Sequence, residues 1–211
     1  MSPTIPDIAG VLLAGEKSRR MGRDKRFIDV GGRTLVERAS EVFKQLFSEI
    51  LIVAAEPTAA LLALGPVVTD TFPDRGSLGG LYTGLSRASR NRVFAAACDM
   101  PFLDPAVIAF MATFDRQADI VIPRLSTGLQ PLHAIYAKNC LPDLHRMICA
   151  GNLKLHELVE SRSLLVKVIP EEQIRSIDPR LISFMNVNRP ADLEFAYKVN
   201  AGLRTSPGND A

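Results

Sequence analysis

Apolar residues in this chain come in short blocks split by polar turns, and the blocks alternate between two periods. Residues 8–14 form an unbroken apolar run that stops at Gly15, as a strand buried on both faces would. Behind it Leu35, Ala39, Val42, Phe43 and Leu46 recur at helical spacing, and Thr34 with Glu37 has the form of a capping box. Strands are expected at 50–55, 67–69 and 93–98. A short helix is expected at 57–64, and an amphipathic one through Leu78, Leu81, Leu85 and Ala88. Asp104 followed by Pro105 marks a further helix start, with Val107, Ile108 and Met111 facing inward. The second half is less regular. Strands are expected at 120–122, 132–136, 164–169 and 183–187, and helices at 139–150, 153–160 and 190–199.

This alternation implies a three-layer, Rossmann-like α/β fold, a mainly parallel sheet with helices on both faces. Residues 1–200 are expected to form a single domain, and the polar end at 201–211 a disordered tail. Ligands of such sheets sit outside the carboxyl ends of the strands. The segment from Gly15 to Lys25, Asp70 and Asp99 all follow expected strands, which places them at one end of the sheet.

Composition narrows the classes. The chain has 211 residues, 47% hydrophobic and 23% charged, which is ordinary for a globular protein with a full core. Its net charge of +2 is close to neutral, so a general nucleic-acid binder is disfavoured. Cys98, Cys140 and Cys149 are odd in number and contain no C-x-x-C pair, against a disulfide framework or a zinc site. Reduced cysteines, no signal peptide and no apolar run of membrane-spanning length lead to the expectation of a cytoplasmic protein with no membrane partner.

The basicity is local. Lys17, Arg19, Arg20, Arg23, Lys25 and Arg26 fall within residues 17–26, just past the first strand. A strand entering a glycine turn crowded with fixed cations suits a polyphosphate, because backbone N–H groups and basic side chains both face its oxygens. The segment is neither a P-loop nor a dinucleotide fingerprint. A solvated basic loop or a nucleic-acid patch is the plainer alternative.

Other positions carry chemistry. Asp99, in Ala97-Cys-Asp-Met-Pro-Phe102, is held at a strand end before Pro101, where a hard carboxylate suits Mg²⁺ shared with phosphates. It could equally cap a turn. Asp70 ends its strand and Asp74 follows; either could be a turn-forming aspartate. The glycines of Gly76-Ser-Leu-Gly-Gly80 could let backbone approach a flat base. His133 could be a general base, though a histidine in an apolar strand is more often packed core.

The stretch 11–25 resembles the L-A-G-G-x-x-x-R-M-G-x-D-K signature of the molybdenum cofactor guanylyltransferases. Leu13, Ala14, Gly15, Arg20, Met21, Gly22, Asp24 and Lys25 match, and Glu16 stands in place of the second glycine. Cys98, Asp99 and Pro101 fit that family's C-D-x-P, and Gly76–Gly80 its G-P-L-x-G with Ser77 in place of proline. Residues 130–136 resemble its P-x-x-A-x-Y strand. Asn186, Asn188, Pro190, Asp192 and Leu193 fit its closing N-x-N-T-P-x-D-L, with Arg189 in place of threonine.

The resemblance implies a nucleotidyltransferase fold and transfer of GMP from GTP to molybdenum-molybdopterin. It implies Mg²⁺ at Asp99, Lys25 on the α-phosphate, and Arg19 and Arg20 on the β- and γ-phosphates. Lys25, Arg20 and Asp99 are then the catalytic set. Leu13, Ala14, Gly15, Arg19, Lys25, Asp70, Gly79, Asp99 and Asn188 are the nucleotide-binding set, with Asn188 a second metal ligand or substrate contact, or else a cap of the last helix. Partners would be GTP, the pterin, and molybdoenzyme chaperones or other cofactor-biosynthesis proteins. The alternatives are a cytidylyltransferase acting on molybdopterin or an isoprenoid precursor, and a non-catalytic nucleotide-binding regulator.

Overall fold

The computed structural model describes residues 5–15 and 24–205. The strands are β1 (Ile8–Leu13), β2 (Ile50–Ala54), β3 (Val67–Thr69), β4 (Arg92–Ala97), β5 (Ile120–Leu125), β6 (Gly128–Leu129), β7 (His133–Ala137) and β8 (Val166–Pro170). The α-helices are α1 (Leu35–Leu46), α2 (Ala59–Leu62), α3 (Gly76–Arg87), α4 (Pro105–Phe114), α5 (Leu141–Cys149), α6 (Glu171–Arg175) and α7 (Pro190–Thr205). They build one sheet in the order β3-β2-β1-β4-β7-β5-β6, with β8 on the other side of β5.

Strands β1 to β4 run parallel. β7 enters antiparallel between β4 and β5, so β5 and its parallel partner β8 regain the direction of β1. The sheet is thus mainly parallel, as expected, with β7 and the short β6 reversed.

β1 shows why the layers form. Ile8 and Leu12 join the core beneath α1 and α4, whereas Ala9, Val11 and Leu13 join the core beneath α3 and α5. Period-two alternation in an all-apolar strand feeds two cores at once, which an interior parallel strand requires. Thr34 and Glu37 do form a capping box at the start of α1: the Thr34 amide donates to Glu37 at 2.7 Å. Asp104 caps α4 by accepting from the Ala106 amide at 2.7 Å.

Helix α3 lies unusually close to the sheet because it presents glycine there. A Cβ on Gly84 would come within 2.3 Å of Val11 Cγ1. Nearer the start of α3, a Cβ on Gly80 would lie 3.2 Å from Leu13 Cδ2 at the carboxyl end of β1, where the cleft opens.

Three expectations are corrected. Residues 183–187 form no strand; a 3-10 turn at Ile182–Phe184 leads into an extended segment whose Val187 amide donates to the Asp99 carbonyl at 2.9 Å. The segment passes the carboxyl end of β4 without joining the sheet. The expected helix at 153–160 is a 3-10 helix, Leu155–Glu160, wound more tightly at three residues per turn. Helix α7 continues to Thr205, beyond the expected boundary at 200; residues 206–211 lie outside the described residues. No helix among the described residues is long and apolar enough to cross a membrane.

Candidate active site

The carboxyl ends of β1, β2 and β4 border a cleft of about 820 Å³, lined among others by Leu13, Gly15, Lys25, Asp70, Ser77 and Asp99. A second concavity, about 540 Å³ around Asp143, Arg146 and Glu157, lies on the α5 side away from these strand ends. We assign the chemistry to the first, since it has the charged groups that the strand ends present.

Lys25 and Asp99 form the floor. Lys25 Nζ stands 2.8 Å from Asp99 Oδ2 and 3.1 Å from Asn188 Oδ1. The two charged side chains are each only 8% exposed. A buried ion pair of this kind is weak evidence for stability, because desolvation offsets the attraction. Asp99 Oδ1 is buried with no hydrogen-bond partner, an arrangement that calls for a ligand.

Three contacts hold the pair in place. The Cys98 amide donates to the Leu13 carbonyl at 3.0 Å, locking the end of β4 to the end of β1. Arg26 grips Asp24 with Nε at 2.8 Å and Nη2 at 2.5 Å, and its Nη1 donates to the Ala14 carbonyl at 2.8 Å. The side-chain bond to Asp24 raises the Arg26 pKa above its ordinary value, against the opposing effect of burial. Residue 25 therefore sits between two anchored neighbours. Asp192 Oδ2 accepts from the Asn188 and Arg189 amides at 2.9 and 2.8 Å, which fixes the turn carrying Asn188.

The other expected residues divide. Leu13, Gly15 and Asp70 reach the cleft. Ala14 is fully buried, and both its backbone groups are bound inside the protein, so it supports the wall without offering the ligand a contact. Asp70 also takes the turn role: its Oδ1 accepts from the Phe72 amide at 3.0 Å and Thr83 Oγ1 at 2.7 Å. Gly79 is corrected. A Cβ there would lie 2.7 Å from the Phe72 carbonyl oxygen, so glycine serves the packing of α3 against its entry loop, while Gly76, Ser77 and Gly80 line the cleft. The Asn188 side chain turns to Lys25 and does not cap α7. Arg19 and Arg20 lie outside the described residues, as does Glu16.

Glu56 and Leu132 line the cleft and were missed. Glu56 follows β2, so the rule that picked Asp70 and Asp99 would have found it. Leu132, not His133, faces the cleft. His133 is fully buried, packed between the Phe94 ring at 5.1 Å and the Phe184 ring at 4.3 Å, with neither ring nitrogen hydrogen-bonded. Burial pulls its pKa from 6.5 down to about 3, against the opposing effects of Asp178 and the Ser183 backbone. A group neutral in the fold but protonated in the unfolded chain below pH 6.5 stabilises the fold fully above that pH and loses the contribution as pH falls toward about 3. Between pH 7 and pH 5 the loss should be about 2 kcal/mol. Urea unfolding of wild type and His133→Leu at both pH values should show a smaller pH dependence in the variant; equal dependence would assign the effect elsewhere.

The residues suit a divalent cation. Among the described lining residues the carboxylates of Glu56, Asp70, Asp74 and Asp99 accompany the single ammonium of Lys25. The described residues contain no cluster of three or more His, Cys, Asp or Glu side chains able to cage a metal. One aspartate with an orphaned oxygen fits Mg²⁺, which binds through one or two carboxylates and completes its shell with phosphates and water.

A mainly parallel sheet with Gly15 after β1 and a buried carboxylate after β4, both lining a cleft at the strand ends, is the plan of a nucleotidyltransferase. The chain belongs to the MobA-like NTP transferase family: the family's sequence model matches residues 10–167. A molybdenum cofactor guanylyltransferase from Desulfosudis oleivorans is 36% identical over 90% of this chain and 94% of its own. A probable molybdenum cofactor guanylyltransferase from Pelotomaculum thermopropionicum is 32% identical over 93% and 95%. The crystal structure of molybdopterin-guanine dinucleotide biosynthesis protein A from Archaeoglobus fulgidus superposes with a TM-score of 0.81, at 27% identity over 92% of this chain and all of that one. A cytidylyltransferase from Thermus thermophilus, at 18% identity and a TM-score of 0.66, shares the fold.

Proposed function

We propose that this protein transfers GMP from GTP to the terminal phosphate of molybdenum-molybdopterin, forming the guanine dinucleotide of the cofactor. The observation that carries the reading is the buried Lys25–Asp99 pair on the cleft floor, in a chain similar along nine-tenths of its length to guanylyltransferases. A pterin phosphate oxygen attacks the α-phosphorus of GTP. The bond from that phosphorus to the bridging oxygen breaks, and pyrophosphate leaves with the electron pair.

The nucleophile is already ionised, so the protein need supply no base. Its buried candidates are unsuited to the task. His133 stays neutral down to about pH 3, and burial beside Asp99 pushes the Cys98 thiol up to about 12. Catalysis then reduces to alignment and charge neutralisation. Lys25 neutralises the α-phosphate, Arg19 and Arg20 hold the outer phosphates, and Asp70 and Asn188 support the nucleotide and Lys25. Asp99, through its orphaned oxygen, would hold Mg²⁺, which would supply positive charge against the phosphates. The reaction belongs in the cytoplasm and involves neither nucleic acid nor a membrane. Other cofactor-biosynthesis proteins or molybdoenzyme chaperones would pass the pterin on.

The test is product formation. With GTP, Mg²⁺ and molybdenum-molybdopterin, the purified protein should release pyrophosphate and yield the guanine dinucleotide by mass spectrometry. Pyrophosphate release only with CTP, or with no pterin product, would overturn the assignment.

A further inference from the structure

Before any nucleotide binds, Asp99 already has a cation. The Lys25 ammonium lies 2.8 Å from its Oδ2, steadied from the other side by Asn188 Oδ1 at 3.1 Å. We propose that Lys25 is an internal counter-ion that keeps Asp99 from taking a divalent cation until the nucleotide's phosphates draw the ammonium away. The proposal rests on the reading of Asp99 as the metal carboxylate.

Several observations point this way. A lone buried carboxylate would be costly to leave uncompensated, and Lys25 compensates it. A divalent cation on the remaining Asp99 oxygen would stand within a few ångströms of the ammonium, and like charges at that range disfavour each other strongly. The other lining carboxylates, Glu56, Asp70 and Asp74, are not gathered around Asp99 as a metal cage among the described residues. Asp70 Oδ1 is committed to Phe72 and Thr83, and no described cluster of three ligating side chains exists. The protein alone is therefore a poor metal site.

Phosphate changes both halves of the balance. The Lys25 ammonium has three N–H donors and can pass one or more to α-phosphate oxygens while staying near Asn188. Asp99 then loses one positive neighbour and can accept a doubly charged one, which the phosphates also ligate. By linkage, whatever factor the nucleotide adds to metal affinity, the metal adds to nucleotide affinity. Lys25 would thus have two roles in sequence, guarding Asp99 first and neutralising the α-phosphate afterwards.

Mn²⁺ is a convenient probe, read by electron paramagnetic resonance as free ion lost on titration. Wild type, Lys25→Met, Lys25→Arg and Asp99→Asn are titrated with and without the α,β-methylene analogue of GTP, which cannot react. Wild type should bind Mn²⁺ weakly alone and more tightly with the analogue. Lys25→Met should bind Mn²⁺ alone about tenfold or more tightly than wild type, the scale of one removed neighbouring charge. Lys25→Arg, which keeps the charge, should bind as weakly as wild type. If Lys25→Met proves too unstable to titrate, its melting midpoint should rise more with Mn²⁺ than that of wild type. Lys25→Met binding Mn²⁺ no tighter than wild type would overturn the inference and leave the metal role of Asp99 standing. Unchanged Mn²⁺ affinity of Asp99→Asn with the analogue would remove that metal role, and the inference with it.

Discussion

Lys25→Ala should lower the turnover rate constant by roughly 10²-fold or more, with a smaller change in GTP affinity. The ammonium sits on the cleft floor, held by Asp99 and Asn188, and its backbone lies between Asp24 and Arg26, the latter gripping both Asp24 and the Ala14 carbonyl. A point charge held beside the reacting phosphorus acts mainly on charge that develops as the leaving bond lengthens, so its loss appears in the rate constant more than in binding. A 10²-fold loss corresponds to about 2.7 kcal/mol of transition-state stabilisation. Steady-state kinetics with the pterin, alongside calorimetric GTP binding, separates the two quantities. Weakened binding at an unchanged rate constant would make Lys25 a docking residue.

Asp99→Asn should remove most turnover and also weaken the fold. Its position at a strand end would predict a rim carboxylate with little structural weight, but the structure buries it against Lys25. The amide oxygen can still accept from Lys25 yet brings no charge, so the stability loss should be about 1–3 kcal/mol. Turnover falls for a separate reason, because the amide no longer draws a divalent cation to the phosphates. Chemical denaturation and turnover, measured on the same preparation, test both parts. A variant that is less stable but turns over at the wild-type rate would restrict Asp99 to a structural role.

Much of this arrangement was legible in the chain because it is local. The run ending at Gly15, the Thr34–Glu37 box, the Asp104-Pro105 start and the aspartates after β3 and β4 each depend on a few adjacent residues. The direction of β7 was not legible, since an apolar alternation reads the same for parallel and antiparallel neighbours. Residues 183–187 were expected as a strand from their apolar content, but tertiary bonds hold the segment against Asp99 outside the sheet. The bond from Lys25 to Asn188 joins residues 163 apart, and only a folded chain can show that the closing asparagine supports the first lysine. Gly79 shows a related ambiguity: a glycine demanded by a nearby carbonyl looks the same in sequence as one demanded by a ligand.

On the proposed function, the cleft lined by Gly15, Lys25 and Asp99 should prefer GTP to the other nucleotides. Calorimetric titration of the protein with GTP, CTP, ATP and UTP in Mg²⁺ tests this most directly. GTP should bind most tightly of the four. CTP binding as tightly as GTP, or more so, would contradict it and place the chain with the cytidylyltransferases whose fold it shares.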